Sequence, residues 1–590
     1  MNISYYDLSV VLFYFAFMAS IGWVTRKFVT NTSDYFRGGG QMLWWMTGAT
    51  AFMTQFSAWS FTGAASKAYL DGPIILTIFL ANSLGFFINY LYFAPKFRQL
   101  RVITPIQAVR QRLGPVNEQF FTWVFIPTNI VYAGIWLNGL AVFLSAVFGF
   151  NLTTTIIATG LLVLFNSTIG GTWAVVSSDF MQTLILMLIA ITTAIFALVD
   201  VGGPMELIHR FPAESMLGND VNYPLLAFGW IFLIFFKQFC STNNIMEASR
   251  YLNAKDSNNA KKAGLMASLL FLFGPILWFI PPMVARINYP DLALIYPQLS
   301  NPSEAAYVKM AIDVLPLGMV GLLIAGMFAA TISSMDSGLN RNAGIFVKNF
   351  YQPIINKNSS DKTQMIVGKI TTILLGLFVI GTALFLSSLE SLPLFDIMVQ
   401  FGSLVGLPVT IPLILMLMVR NTPDWAGWST VILGLGLALI LRLQFNASFW
   451  DQYLDLGLSR REINDWDAMQ GIIMGITVLP AWFISTKFFY KVKKAGNRQQ
   501  EQDDYWSNLN RPVLASEHEV NVDGRQGKTL GTLAGSYGLF VFILCLIPNP
   551  WYGRLAFTLA GGFLMGLGYL LYWTYNKESI RARQAERAKK

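Results

Sequence analysis

Gly321–Tyr351 reads GLLIAGMFAATISSMDSGLNRNAGIFVKNFY. Its first half is apolar enough for lipid. Its second half carries Thr331, Ser333, Ser334, Asp336, Ser337, Asn340 and Arg341. At roughly 100° per residue, Ala330, Ser333, Ser334, Ser337 and Arg341 share one helix face, with Asp336 and Asn340 on its shoulder. Hydroxyls and a carboxylate at membrane depth are costly unless they meet a cavity or a partner. Clustered oxygens also suit a small hard cation that has shed its water. Small polar residues are equally common where membrane helices pack closely, so the stretch alone leaves both readings open.

The rest of the chain sets the medium. Of 590 residues, 54% are hydrophobic and only 12% are charged, roughly half the charge of a water-soluble domain. That composition describes an all-α polytopic membrane protein, with the lipid bilayer as its surroundings. Met1–Asp7 has no basic segment and no small-residue cleavage site follows, so the first apolar run is expected to stay as a helix. The net charge of +9 is spread through loops between apolar runs, so no nucleic-acid partner is expected. Cys240 and Cys545 lie in or beside apolar runs and imply no disulfide framework. His209 and His518 fall in expected loops, away from any membrane-depth proton relay or His-based zinc site.

Apolar runs long enough to span recur about fifteen times between residues 8 and 573. Lys and Arg gather in one set of intervening loops: Arg26–Arg37, Lys96–Arg112, Arg250–Lys262, Lys348–Lys362, Lys487–Lys494 and the tail. The other set holds only a scatter, such as Arg210, Arg286, Arg460, Arg461 and Arg554. The positive-inside rule then places the N-terminus outside and the C-terminus in the cytoplasm of a multi-pass cell-membrane protein, here read as a bacterial inner membrane. Thr104–Leu113 reads as an interfacial helix. Residues 491–528, including AGNRQQEQDDYWSNLN, read as a solvated cytoplasmic linker.

Four blocks carry a family resemblance. They are Trp44–Tyr69 (WWMTGATAFMTQFSAWSFTGAASKAY), Gly170–Gln182 (GGTWAVVSSDFMQ), Asn243–Lys262 (NNIMEASRYLNAKDSNNAKK) and the opening stretch. Together they resemble the sodium:solute symporter family, with the R-x-L-x-A-K-D-x-x-x-A-K and A-x-x-S-S forms as the specific elements. The resemblance implies a LeuT-type core of two inverted five-helix repeats, about 43–200 and 224–419. One helix precedes them and about four follow. The expected division is a symporter domain at 1–490, the linker at 491–528, and two extra helices with a basic tail at 529–590.

The resemblance further implies a sodium site made by the carbonyls of Met53, Phe56 and Ala330 and the hydroxyls of Ser333 and Ser334. Asp179 matches an acidic position that helps hold a second cation in some members, here with Asp336 and Ser337. No cofactor is expected, because sodium is co-transported. For the solute, the candidates are Ser57, Ser60, Phe79, Asn82 and Asn244, together with Lys237, which lies deep within an apolar run. The implied function is sodium-coupled symport of a small polar solute, a sugar or sugar acid, by alternating access. The alternatives are a proton-coupled or uncoupled carrier of an organic anion or amino acid, or a transporter-like sensor. An enzyme would need a nucleophile–base pair or a metal cluster, and neither is visible.

Overall fold

In lipid a backbone can pair only with itself, so the apolar runs become helices. The computed structural model describes all but residues 1–3, 26–27, 29–31, 170–171, 214–220, 298, 390–392, 492–496, 518–522 and 590. Gly170, Gly171, Arg26, Lys27, Lys493, Lys494 and His518 thus lie outside the described residues. Within them there is no β-strand, only a single bridge joining Met42 and Ala254.

The helices that build the core are, in order, α1 (Tyr5–Thr25), α2 (Trp44–Met53), α3 (Gly63–Asp71), α4 (Leu76–Ile88), α5 (Pro115–Phe148), α6 (Leu152–Ile169) and α7 (Thr172–Val201). A second set follows: α8 (Pro224–Asn243), α9 (Ser257–Asn288), α10 (Met319–Ile345), α11 (Asp361–Ser387) and α12 (Leu394–Phe401). Each set opens on an interrupted helix. In the first, α2 stops at Met53 and the chain resumes in a 3-10 turn at Ala58 before α3. In the second, α8 stops at Asn243 and resumes at Ile245.

α10 is the axis. Its most apolar window is wholly buried, and it packs against α1, α5, α6, α7 and α11. Its first turn is capped from another helix, where Asp7 Oδ1 accepts from the Gly318 amide at 2.9 Å and the Gly321 amide at 2.7 Å. Asp7 on α1 thereby satisfies two N–H groups that a helix start leaves bare. Any side chain at Gly321 would collide with the Asp7 backbone.

Thirteen of the described helices are long and apolar enough to cross a membrane, against about fifteen read from the sequence. The outer half of the first interrupted helix runs on through a turn at Gly72 (φ 65°) into the next helix, as one stretch over Ala58–Gln99, so two of the apolar runs are counted there as one, and the apolar helix α6 stands beside the thirteen.

The stretch read as a solvated linker is instead docked. Asn497–Asn510 forms a helix with Tyr505 and Leu509 buried. Arg498 bonds the carbonyls of Arg110 and Gln111 at 2.9 and 2.8 Å. The reason is the YW-x-x-L pattern: Trp506 lies under the guanidinium groups of Arg112 and Arg420, at 5.4 and 4.7 Å.

Two further helices, α13 (Asp523–Ile543) and α14 (Trp551–Lys589), form a hairpin against α1. Phe540 stacks on Phe13 with ring centroids 3.5 Å apart. The hairpin touches the core at both ends. Asn549 bonds the amide and the carbonyl of Leu317, at 3.0 and 2.9 Å, just before α10. At the opposite end Trp45 Nε1, on α2, donates to the Tyr575 hydroxyl at 3.1 Å.

Candidate functional site

The interruption after α2 follows from TQFS at residues 54–57. Thr54 turns its hydroxyl back onto the Thr50 carbonyl at 2.9 Å, the kind of local bond that competes with a helix. Gln55 and Phe56 close short turns onto Phe52 and Met53, and Ser57 is fully extended (φ −151°, ψ 176°). The Phe56 carbonyl is thereby left outside the backbone ladder, and the Met53 carbonyl, reached by the Phe56 amide at 3.1 Å, keeps a second lone pair toward α10. Ser334 Oγ on α10 donates to them, 3.0 Å from the Met53 oxygen and 2.6 Å from the Phe56 oxygen. Thr331 Oγ1, one turn earlier, accepts from the Ala58 amide at 3.2 Å.

Three of the five expected sodium positions thus meet at one point. The other two flank it. Ala330 is fully buried one turn before Ser334, and Ser333 Oγ turns toward α7, donating to Asp179 Oδ1 at 2.5 Å. Asp336 takes a hydrogen bond from Ser167 on α6. The two carboxylates expected to share a cation therefore each have a serine of their own. The hydroxyl of Ser337 is buried with no hydrogen-bond partner among the described residues.

Beside this point lies a cavity of about 150 Å³. Ser57, Phe79, Asn82, Lys237 and Asn244 all line it. Ser60 does not; it is buried in the 3-10 turn, where its amide bonds the Ser57 carbonyl. Asn244 spends its side chain on its own helix end, accepting from the Met246 amide at 3.0 Å and donating to the carbonyls of Cys240 and Ser241. Asn82 accepts from Gln238 Nε2 at 3.0 Å. The sequence reading passes over Asn129, Tyr132 and Trp136, a stripe along α5 that faces the same cavity. Their spacing of three and four residues, just past Pro127 inside the helix, is the signal that marks them.

Polar contacts flank the cavity at both ends. On the end where α3 finishes, Trp59 Nε1 donates to the Leu394 carbonyl at 3.2 Å and Glu304 accepts from the Leu394 amide at 3.1 Å. Beyond them lie Lys67–Asp71 at 2.5 Å, Arg461–Asp71 at 3.7 Å and Arg461–Asp465 at 3.4 Å. Burial pushes the Glu304 carboxyl up to about 7, against the pull of the Leu394 amide. On the end with the Lys- and Arg-rich loops, Glu247 pairs with Arg250. Arg341 bonds Asn129 at 2.8 Å and stacks on Phe125. Past these residues a smaller cavity of about 50 Å³ opens toward Ile103 and Asn253, sharing Thr54, Arg250, Ser337 and Arg341 with the first.

A profile of the sodium:solute symporter family matches residues 35–432. The chain is similar to the sodium/myo-inositol cotransporter 2 of Sus scrofa, with 28% identity over 476 residues, 74% of this chain and 69% of that protein. It is also similar to the sodium/glucose cotransporter of Vibrio parahaemolyticus, with 25% identity over 529 residues, 83% of this chain and 95% of that one. In fold it resembles a Na+-coupled sialic acid symporter solved in a substrate-bound outward-open state, with a TM-score of 0.64 at 21% identity over 81% of this chain and 98% of that one. A nucleobase-cation-symport-1 family transporter in a closed conformation matches at a TM-score of 0.51 and 13% identity, over 80% and 99% of the two chains. Both neighbours share the LeuT-type arrangement. The chain belongs to the sodium:solute symporter family, as a multi-pass membrane transporter of a small solute with sodium rather than an enzyme.

Proposed function

We propose that this protein imports a sugar or sugar acid by alternating access, driven by sodium, across a bacterial inner membrane. The observation that carries the reading is the Ser334 hydroxyl seated between the Met53 and Phe56 carbonyls, against the cavity wall. A hydroxyl and freed carbonyls are the oxygen donors that an unhydrated Na+ needs. The hydroxyl proton now bridging them has only to rotate away to open the point to a cation. Met53, Phe56, Ala330, Ser333 and Ser334 would form that site, and Asp179, Asp336 and Ser337 a second cation path toward the Lys- and Arg-rich end. That end would face the cytoplasm, with the N-terminus outside.

Ser57, Phe79, Asn82, Lys237 and Asn244 would hold the solute, and the relatives named for glucose and myo-inositol support a polyhydroxylated one. Residues 1–490 would be the transport domain, 491–528 the cytoplasmic connection and 529–590 an accessory hairpin and tail. The deciding experiment is uptake into proteoliposomes holding the full chain, across a panel of labelled hexoses, inositols and hexuronates. Accumulation should require an inward sodium gradient. Accumulation that follows an imposed proton gradient and ignores sodium would replace this reading with a proton-coupled carrier.

A further inference from the structure

We infer that the solute carries a negative charge and that Lys237 is the residue that fixes it. This rests on the reading above, in which the central cavity holds the solute. Lys237 stands in FGWIFLIFFKQFC, two turns before α8 ends at Asn243. Its side chain is only 9% exposed and lines the cavity. Among the described residues it forms no ion pair and no hydrogen bond, although a buried ammonium is strongly disfavoured without an anion.

The wall opposite makes room for it. Gly402 opens a π-helical turn, Gly402–Gly406, after α12. A methyl group at Gly402 would come 2.8 Å from Lys237 Cε, 3.0 Å from Nζ and 3.4 Å from the Tyr132 hydroxyl. The ammonium therefore packs against the bare backbone of residue 402, and the Tyr132 hydroxyl borders the same position.

The charges around the cavity lean the same way. Its lining holds three cations, Lys237, Arg250 and Arg341, and one carboxylate, Glu247. Glu247 is taken by Arg250. Arg341 is engaged by Asn129 and by the face of Phe125. Lys237 and Arg341 are thus the two cations without an anion, and of these Lys237 alone has no polar partner among the described residues. A carboxylate on the solute would meet it with a charge-assisted hydrogen bond, and the amides of Asn82 and Gln238 are near enough along the same wall to read hydroxyls. The class of ligand is a polyhydroxylated monocarboxylate, such as a hexuronate or an aldonate.

The test is calorimetric titration of the purified full chain in lipid nanodiscs with sodium present. Glucuronate, galacturonate and gluconate are compared with glucose, galactose and myo-inositol up to millimolar concentrations. At least one acid should bind about tenfold or more tighter than every neutral ligand. Lys237→Met and Lys237→Gln should each erase that preference, and Lys237→Arg should keep part of it. Gly402→Ala, which presses on the Lys237 side chain without removing it, should weaken the acid severalfold. Stabilisation by NaCl alone, measured for every variant, reports that the fold and cation point are intact.

A neutral ligand bound more tightly than all three acids would overturn the assignment. So would the absence of acid binding in this range, or an acid preference that survives loss of the lysine. Absence of any NaCl effect in the parent protein would instead strike the sodium reading and leave the acid preference to be judged on its own.

Discussion

The first interrupted helix leaves its spare carbonyls to a hydroxyl from a distant helix, whereas the second closes its gap with amide side chains, its own Asn244 and Asn89, which donates to the Thr242 carbonyl at 2.7 Å. At residues 54–57 the groups freed by the break are met by Ser334, from a helix nearly 280 positions away. At residue 244 the asparagine side chain bonds one amide ahead of it and two carbonyls behind it. The difference separates two jobs. On the proposed reading, the single hydroxyl proton at the first break would give way to a cation. The second break, held by amide side chains, would be a fixed corner around which Lys237 and Gln238 keep their places.

The sharpest way to break this contrast is at α10. Each serine hydroxyl is worth roughly 1–3 kcal/mol when its buried partner is left unmet. The double variant Ser333→Ala/Ser334→Ala should therefore raise the half-saturating sodium concentration for uptake about a hundredfold or more. Ser334→Ala alone should account for the larger share, because it alone touches both carbonyls. Sodium dependence that is unchanged in the double variant would remove the distinction between the two breaks.

A second test concerns the polar contacts at the α3 end of the cavity. Glu304 has an ordinary value of 4.5 and stands near 7 in the fold. Between those values the folded state holds a proton that the unfolded chain has lost. Stability from this group is therefore complete below about pH 4.5, declines as pH rises toward 7, and levels beyond it. The span is on the order of 3 kcal/mol. Thermal midpoints measured from pH 5 to 8 should fall for the parent and stay flatter for Glu304→Gln, which keeps an oxygen for the Leu394 amide. Parallel curves for the two proteins would contradict it.

The smallest expected effect is at the second break. Asn244→Ala removes a cap and should cost about 1 kcal/mol, lowering the midpoint equally with and without sodium. If the stabilisation by sodium disappears in this variant, the second break is part of the cation point after all.

How much of this was legible depends on the kind of signal. The polar face of α10 was visible because hydroxyls at helical spacing stand out inside an apolar run. Lys237 was visible because a lysine deep in an apolar run is costly enough to stand out, whether it meets a buried acid or a solute. The fold class followed from apolar runs and four motif blocks. Tyr132 and Trp136 went unnoticed because aromatic residues in membrane helices usually mean packing. Arg341 is in plain view in the sequence, but its turn toward Asn129 depends on how α5 and α10 cross. Asp179 and Asp336 each lie among neighbouring hydroxyls, Ser177 and Ser178 for one and Ser333, Ser334 and Ser337 for the other, that offered several pairings, and only tertiary packing assigns Ser333 to the first and Ser167 to the second. The docking of residues 497–510 was hidden by polar composition, since the buried pair Tyr505 and Leu509 is diluted by its neighbours.

The C-terminal hairpin has a mechanical meaning for the transport cycle. Its Asn549 end is bonded to the lead-in of α10 and its Tyr575 end to the start of α2. These are the two helices whose contact forms the Ser334 junction. The hairpin is therefore a stay fastened across a hinge, one fixing at each rim of the bundle. If α2 swings away from α10, either the Trp45–Tyr575 bond opens or the whole stay travels with the leaf it is fixed to.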